Sequence, residues 1–387
     1  MEGYPAWVAA HDTLSDADRA EICAHMATIG YRPTVSLLLP LGFGEPGGGR
    51  ETIASVRAQL YPGWRLIIAG QSAPDEDAAT VAARRDKRIR RVAMQPHDDM
   101  ADAVNAALAE AADDFAAILV PGDQLADRAL YEVAVALGTH PDADLLYTDE
   151  DRIDPNGTRS APWFKTGWDP DLLLAEDCIG VLAVWRLAVL RAAGGLRRGF
   201  AGAATYDLNL RATAALMPDR IRHLPAVLCH RPAGTLPSLR ERMLGADAEA
   251  ARQAVRERLA PAVRIEPAPL WPAANRVRWP LPDPPPLVSV IVPTRDRADL
   301  LTPCAVGVLQ RTDYPALELL IVDNDSCEAA TEAAFASLAA DPRVRILRHP
   351  GPFNFAAMNN TAVAQARGEI VVLLNNDVDV AGPDWLR

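Results

Sequence analysis

Three clusters of acids and amides stand at regular places in the second half of this 387-residue chain: Pro293-Thr294-Arg295-Asp296, Asp323-Asn324-Asp325 and Asn375-Asn376-Asp377-Val378-Asp379. Each follows an apolar run of strand length, at 288–292, 317–322 and 370–374. In a doubly wound sheet the carboxyl ends of the strands open on one crevice, so acids at several strand ends face a common ligand. A carboxylate behind the second strand can accept hydrogen bonds from a uracil or a ribose. A second acidic cluster can hold a divalent cation, which would bridge to a diphosphate through hard oxygen ligands. Asp and Asn also favour strand-ending turns for backbone reasons, and that explains any one cluster taken alone. Three clusters at the expected strand ends favour a site.

The elements that must position these residues occur twice. Pro33-Thr34-Val35-Ser36 runs into Leu37-Leu38-Leu39-Pro40, and Pro286-Leu287-Val288-Ser289 runs into Val290-Ile291-Val292-Pro293, an offset of 253 that also relates Tyr61-Pro62 to Tyr314-Pro315. The same two strands in the same order indicate a duplicated domain. Around them, strands are expected at 35–39, 65–69, 116–120, 143–148 and 224–228, and helices at 50–60, 76–84, 99–112, 127–138 and 205–215. That alternation implies a parallel sheet wound by crossover helices. Residues 1–31 read as a helical leader, with cap candidates over Thr13–Asp18. The prolines between Pro267 and Pro286 suggest a stiff, extended linker over 266–286.

The first copy has lost the acids. Gly70 stands where the second copy has Asp323, and Gly122 stands in place of Asp377. Gly42-Phe43-Gly44-Glu45-Pro46-Gly47 matches G-x-G-x-x-G and, read alone, would indicate a nicotinamide dinucleotide. However, Pro46 and the extra Gly48-Gly49 loosen the turn, and no acid ends the following strand to hold a ribose. Asp149, Glu150, Asp151 and Asp154 form a further acidic group, read here as turn residues and partners of Arg152 and Arg159.

A net charge of −12 argues against a general nucleic-acid binder, and the run Arg84–Arg88 reads as a solvated helix end. Five scattered cysteines with no C-x-x-C pair fit reduced thiols without structural zinc. The start has neither a basic region nor an apolar stretch, and no run is long enough to span a bilayer. These features suggest a cytoplasmic protein, with contact at the inner membrane only through a lipid-linked substrate.

Five stretches of the second copy carry a family resemblance. They are Val290-Ile291-Val292-Pro293-Thr294-Arg295-Asp296, Ile321-Val322-Asp323-Asn324, Pro350-Gly351-Pro352-Phe353-Asn354-Phe355, Ala366-Arg367-Gly368-Glu369 and Leu373-Leu374-Asn375-Asn376-Asp377. Together they resemble the nucleotide-binding half of a family 2 glycosyltransferase of the GT-A fold. The first copy, from Tyr4 to about Arg231, resembles the N-terminal domain of tandem family 2 enzymes of bacterial surface-polysaccharide synthesis. It does so through Leu146–Asp154, Trp163-Phe164-Lys165, Trp168–Leu172 and Tyr206-Asp207-Leu208.

The resemblance implies an α/β, Rossmann-like, mostly parallel sheet with flanking helices. Its domains would be a leader (1–31), a full domain with a degenerate site (32–265), the linker (266–286) and the nucleotide-binding half of a second domain (287–387). It further implies transfer of a sugar, with inversion, from a nucleotide-diphosphate donor to a growing or lipid-linked glycan. Pro293, Thr294, Arg295, Asp323, Asn324, Asn359 and Asn360 would contact the nucleotide sugar. Asp377, and less strongly Asp379, would hold Mn2+ or Mg2+. The family's acid before Tyr-Asp-Leu, which serves as general base, is Thr205 in the first copy. The base of the second copy is expected beyond Arg387. The alternative is a non-catalytic scaffold or glycan-binding protein built on the same fold.

Overall fold

Two runs of aliphatic and β-branched residues, Val35–Leu41 and Val288–Thr294, are buried along their whole length and form the centres of two separate sheets. Strands buried on both faces read as continuous apolar runs, which is why periodicity alone shows them so plainly. A computed structural model describes residues 3–43, 48–70, 81, 85–95, 98–200, 202–233 and 246–387. Most of the helix expected at 76–84, and Gly44–Gly47 of the glycine match, lie outside the described residues. The chain divides into two compact units, Met1–Val277 and Arg278–Arg387.

In the first unit, β1 (Val35–Leu41), β2 (Trp64–Gly70), β3 (Ile89–Ala93) and β4 (Phe115–Ile118) run parallel in the order β3-β2-β1-β4. The sheet then continues through β5 (Gln124–Leu125), β6 (Leu145–Ile153), β7 (Arg159–Trp163), β8 (Val184–Arg186) and β9 (Ile221–Pro232), with β8 antiparallel to both β4 and β6. A two-stranded ribbon follows, β10 (Arg264–Ala268) with β11 (Trp271–Arg278). In the second unit, β12 (Val288–Thr294), β13 (Leu317–Asp323), β14 (Val344–Arg348) and β15 (Ile370–Leu373) are all parallel, in the order β14-β13-β12-β15. This is the order of the first four strands of the first unit. The α/β class with a wound, mostly parallel sheet and flanking helices is therefore what the chain adopts. The far half of the first sheet, which mixes antiparallel pairings with the parallel pair β6–β9, was not legible in the sequence.

The duplication extends to individual hydrogen bonds. Tyr61 Oη donates to Pro33 O at 2.7 Å, and Tyr314 Oη donates to Pro286 O at 2.8 Å. Arg88 folds back on Asp86 through its backbone N–H, Nε and Nη2, and Arg343 does the same to Asp341. Both pairs stand at the turn into the third strand, where the arginine carbonyl also accepts from the second strand (Leu66 N, Leu319 N). Ser36 and Ser289, each a hydroxyl inside a buried strand, are satisfied by Asp113 (2.6 Å) and Glu318 (2.7 Å). A buried hydroxyl without such a partner would cost about 1–3 kcal/mol.

The leader consists of two helices, Gly3–His11 and Asp16–Thr28, the second begun by a capping box between Ser15 and Asp18. The leader is also bound into the sheet: Tyr4 Oη donates to Asp151 at 2.7 Å, and Asp12 meets Arg128 and Arg159. The stretch 266–286 is not one extended spacer. Its first part lies within β10 and β11, whose Ile265 and Ala273 are buried in the first unit's core, while Asn275 Nδ2 donates to Leu174 O at 3.1 Å. Proline stiffens the chain but does not stop alternating apolar side chains from finding a core. Among the described residues no helix is long and apolar enough to cross a membrane.

Candidate functional site

In the second unit the strand order reverses between β12 and β15, the switch point where ligands enter a doubly wound sheet. Thr294 ends β12 and Asp323 ends β13 as its register partner. Asn376, in the loop after β15, donates from Nδ2 to Thr294 Oγ1 at 3.0 Å. The ends of three strands therefore meet, as the sequence suggests.

Asp323 is buried, and both of its oxygens are engaged. Oδ1 accepts from Ser326 N at 3.1 Å, and Oδ2 accepts from Arg348 Nη1 at 2.6 Å. Arg348 also reaches Glu332 and remains half exposed, so it can swing away from Asp323. The hydrogen bonds that Arg348 donates, first to Glu332 and then to Asp323, push its pKa up, and Arg348 in turn holds Glu332 below its ordinary value. Asn324 is buried, and its Nδ2 donates to His349 O (3.0 Å) and Gly351 O (2.9 Å). That leaves its Oδ1 a buried acceptor with no partner among the described residues. Asp296, at a left-handed φ of 54°, caps the next turn by accepting from Cys327 N and Glu328 N. Those two bonds, that from Glu328 the larger, hold its carboxyl below the usual range.

The remaining candidates divide. Pro293 is buried in β12, and Arg295 is exposed beyond it. Asn359 sits in the helix Phe355–Val363, buried, with Nδ2 turned back to Phe355 O at 2.8 Å and Oδ1 unpartnered. Its neighbour Asn360 is exposed. Asp377 is also exposed, with no side-chain partner among the described residues. Asp379 is already engaged by Arg311. Among the described residues no cluster of three or more His, Cys, Asp or Glu side chains is arranged to hold a metal.

The first unit has the same frame with different contents. Leu41 replaces Thr294, and its register partner Gly70 replaces Asp323. Gly70 is held there sterically, since a Cβ on it would lie 2.4 Å from the Leu41 carbonyl oxygen. Gly122 adopts φ 103°, and a Cβ there would lie 2.9 Å from Pro232 Cγ. The backbone therefore disfavours a side chain at both positions.

Asp149, Glu150 and Asp151 lie within β6 and are not turn residues, whereas Asp154, just beyond it, is one and accepts from Asn156 N and Thr158 N. Asp149 pairs with His223 and Glu150 with Lys165 (3.1 Å), while Asp151 is shared by Tyr4, Arg159 and His230. Arg159 is the expected partner. Burial alone would raise Asp151, but hydrogen bonds from His230, Tyr4 and Arg159 outweigh it and keep the carboxyl low. Thr205 does lie at a site: it lines a cavity of about 220 Å³ together with Asp177, Asn209 and Arg231. Asp177 was missed by sequence reasoning because no local signal separates it from an ordinary loop acid.

Comparison with known proteins places these features. Residues 289–387 match the model for glycosyl transferase family 2. The chain is 39% identical over 365 residues to the uncharacterized protein y4gI of Sinorhizobium fredii, covering 92% of this chain and 40% of that protein. It is 38% identical over 395 residues to the O-antigen biosynthesis protein RfbC of Myxococcus xanthus, covering 100% of this chain and 30% of that one. The chain thus spans less than half the length of these relatives. A solved structure of S. aureus TarS 1–349 is similar at a TM-score of 0.46 with 15% identity, over 58% of this chain and 65% of that one.

Proposed function

The chain carries a family 2 glycosyltransferase segment over residues 289–387, and on that premise we propose that it transfers a sugar from a nucleotide-diphosphate donor to a growing glycan in cell-surface polysaccharide synthesis. The donor site is assigned to the second unit. The observation that carries this reading is Asp377, an exposed carboxylate with no side-chain partner among the described residues, one residue beyond the Asn376–Thr294 contact, at a position where the first unit has Gly122.

In this reading Asp323 accepts from the base or ribose once Arg348 swings aside, and Thr294, Pro293 and Arg295 border the nucleotide. Asn324 and Asn359 each offer a buried, unspent carbonyl oxygen, and Asn360 lies near the sugar phosphate. A small donor set fits a divalent cation here: Asp377 contributes one carboxylate, with diphosphate oxygens and water supplying the rest, as is common for Mg2+ and Mn2+ sites. Such an ion, when bound, stabilises the charge developing on the departing diphosphate. Asp379 joins only by giving up Arg311. The proposed stereochemistry is inversion, which needs a carboxylate to take the acceptor proton.

Calorimetry of the chain with UDP, GDP or dTDP, with and without manganese, tests the assignment. Metal-dependent binding of at least one nucleotide is expected, weakened about tenfold or more in Asp377→Ala, a loss of at least about 1.4 kcal/mol. Equal metal-dependent affinity in that variant would overturn it.

A further inference from the structure

The first unit contains a cavity whose contents point to a different ligand. It measures about 220 Å³ and lies at the carboxyl end of β4, bordered by Ile118, Val120 and Trp185 on its apolar side. Its polar side is formed by Asp177, Thr205, Asn209 and Arg231. A single water needs about 10–15 Å³ of such space, so the cavity admits a ligand of about a dozen heavy atoms, the size of one hexose.

The charges decide what kind of ligand. Arg231 is the one cation in the described lining, and it already faces Asp123 at 3.4 Å and Glu150 at 3.7 Å. Glu150 also holds Lys165 at 3.1 Å, so the buried positive charges are matched by carboxylates. Among the described residues no unspent cation would meet an entering diphosphate, and burying an uncompensated anion costs several kcal/mol. Gly70 and Gly122 supply no carboxylate for a bridging metal.

Asp177 differs from its neighbours. It is buried, and its hydrogen-bond partners among the described residues are neutral: Asn209 Nδ2 at 2.9 Å and Gly180 N at 3.3 Å. Burial pushes its pKa up, against the smaller lowering effect of those two bonds. Such a carboxyl holds its proton to higher pH than a surface aspartate, and in its protonated form it offers both an O–H donor and an acceptor. With Asn209 and the Thr205 hydroxyl it forms a set of hydrogen-bonding groups against an apolar wall. That combination suits a hydroxyl-bearing ring with an apolar face.

We propose that the cavity of the first unit is a binding site for a neutral glycosyl unit, held by Asp177, Asn209 and Thr205 without nucleotide or metal. This inference does not depend on the reading of the second unit.

Saturation-transfer NMR on the whole chain tests it, with free glucose, galactose, mannose, N-acetylglucosamine and rhamnose at millimolar concentration as probes. Transfer to at least one of them is expected, undiminished by saturating UDP with manganese. It should fall by about tenfold or more in Asp177→Ala, which removes the central pair of hydrogen bonds. Thr205→Trp, at the half-buried first turn of the helix Ala204–Thr213, should abolish it by filling the cavity. Melting curves establish that each variant is folded. Absence of transfer to any of the five sugars, transfer that survives both substitutions, or transfer displaced by UDP with manganese would each overturn the proposal.

Discussion

Restoring the missing acid at Gly70 should damage the first unit rather than revive a nucleotide site. A Cβ at Gly70 would lie 2.4 Å from the Leu41 carbonyl oxygen and 2.8 Å from Leu41 Cβ, and both atoms belong to the buried end of the adjacent strand. Overpacking of this kind costs about 1–3 kcal/mol. Removing a glycine also stiffens the unfolded chain, an offset of about 0.4–1 kcal/mol that does not exceed the clash. Gly70→Ala should therefore lower the melting temperature of the first unit modestly. Gly70→Asp adds a carboxylate at a buried position, for a combined loss of about 4–6 kcal/mol. At about 2–4 °C per kcal/mol for a unit of this size, that is roughly 8–24 °C. Calorimetric unfolding of the whole chain, with the second unit's transition as an internal reference, measures both variants. A Gly70→Asp protein that melts like the parent, or that gains manganese-dependent UDP affinity, would refute the steric account of the lost site.

Because Tyr61 and Tyr314 make the same bond in the two units, Tyr61→Phe and Tyr314→Phe should each cost about 0.5–1.5 kcal/mol, each in its own unit's transition. Unequal effects, or effects on the wrong transition, would break the equivalence. The acid limb of stability should trace in part to Asp207: burial would raise its carboxyl, but bonds from Arg197 and Arg211 hold it below the ordinary value. A folded-state pKa below the unfolded value of about 3.9 gives stabilisation that is complete above that pH and is lost as pH falls through the folded value. Asp207→Asn should therefore flatten the melting-temperature profile below about pH 4, and a profile parallel to the parent's would contradict this. A broad-specificity protease should cut within the exposed stretch around Trp279–Asp283 and spare 264–278, which is packed on the first unit. Early cleavage inside the β10–β11 ribbon would show that its packing is weak.

What the sequence determined by itself is whatever depends on near neighbours. The buried apolar runs of β1, β2, β12 and β13, the repeated Tyr-Pro, and the acids and amides behind 293, 322 and 374 are all local patterns. The duplicated sheet order follows from them through the rules of wound sheets. Tertiary structure decided where distant side chains meet. Arg348 lies 25 residues from Asp323 and occupies one of its oxygens, and Arg311 reaches Asp379 across 68. Tyr4 and His230 converge on Asp151 from opposite ends of the first unit, turning a supposed turn acid into part of a buried network. In the same way Asp177 acquires its surroundings from Asn209, a helix residue 32 positions on. No local propensity encodes such pairings, because an ion pair or a cavity wall is set by which strands lie side by side. The sequence shows that Gly70 is not an acid. Only the close approach of β1 and β2 shows that it cannot readily become one.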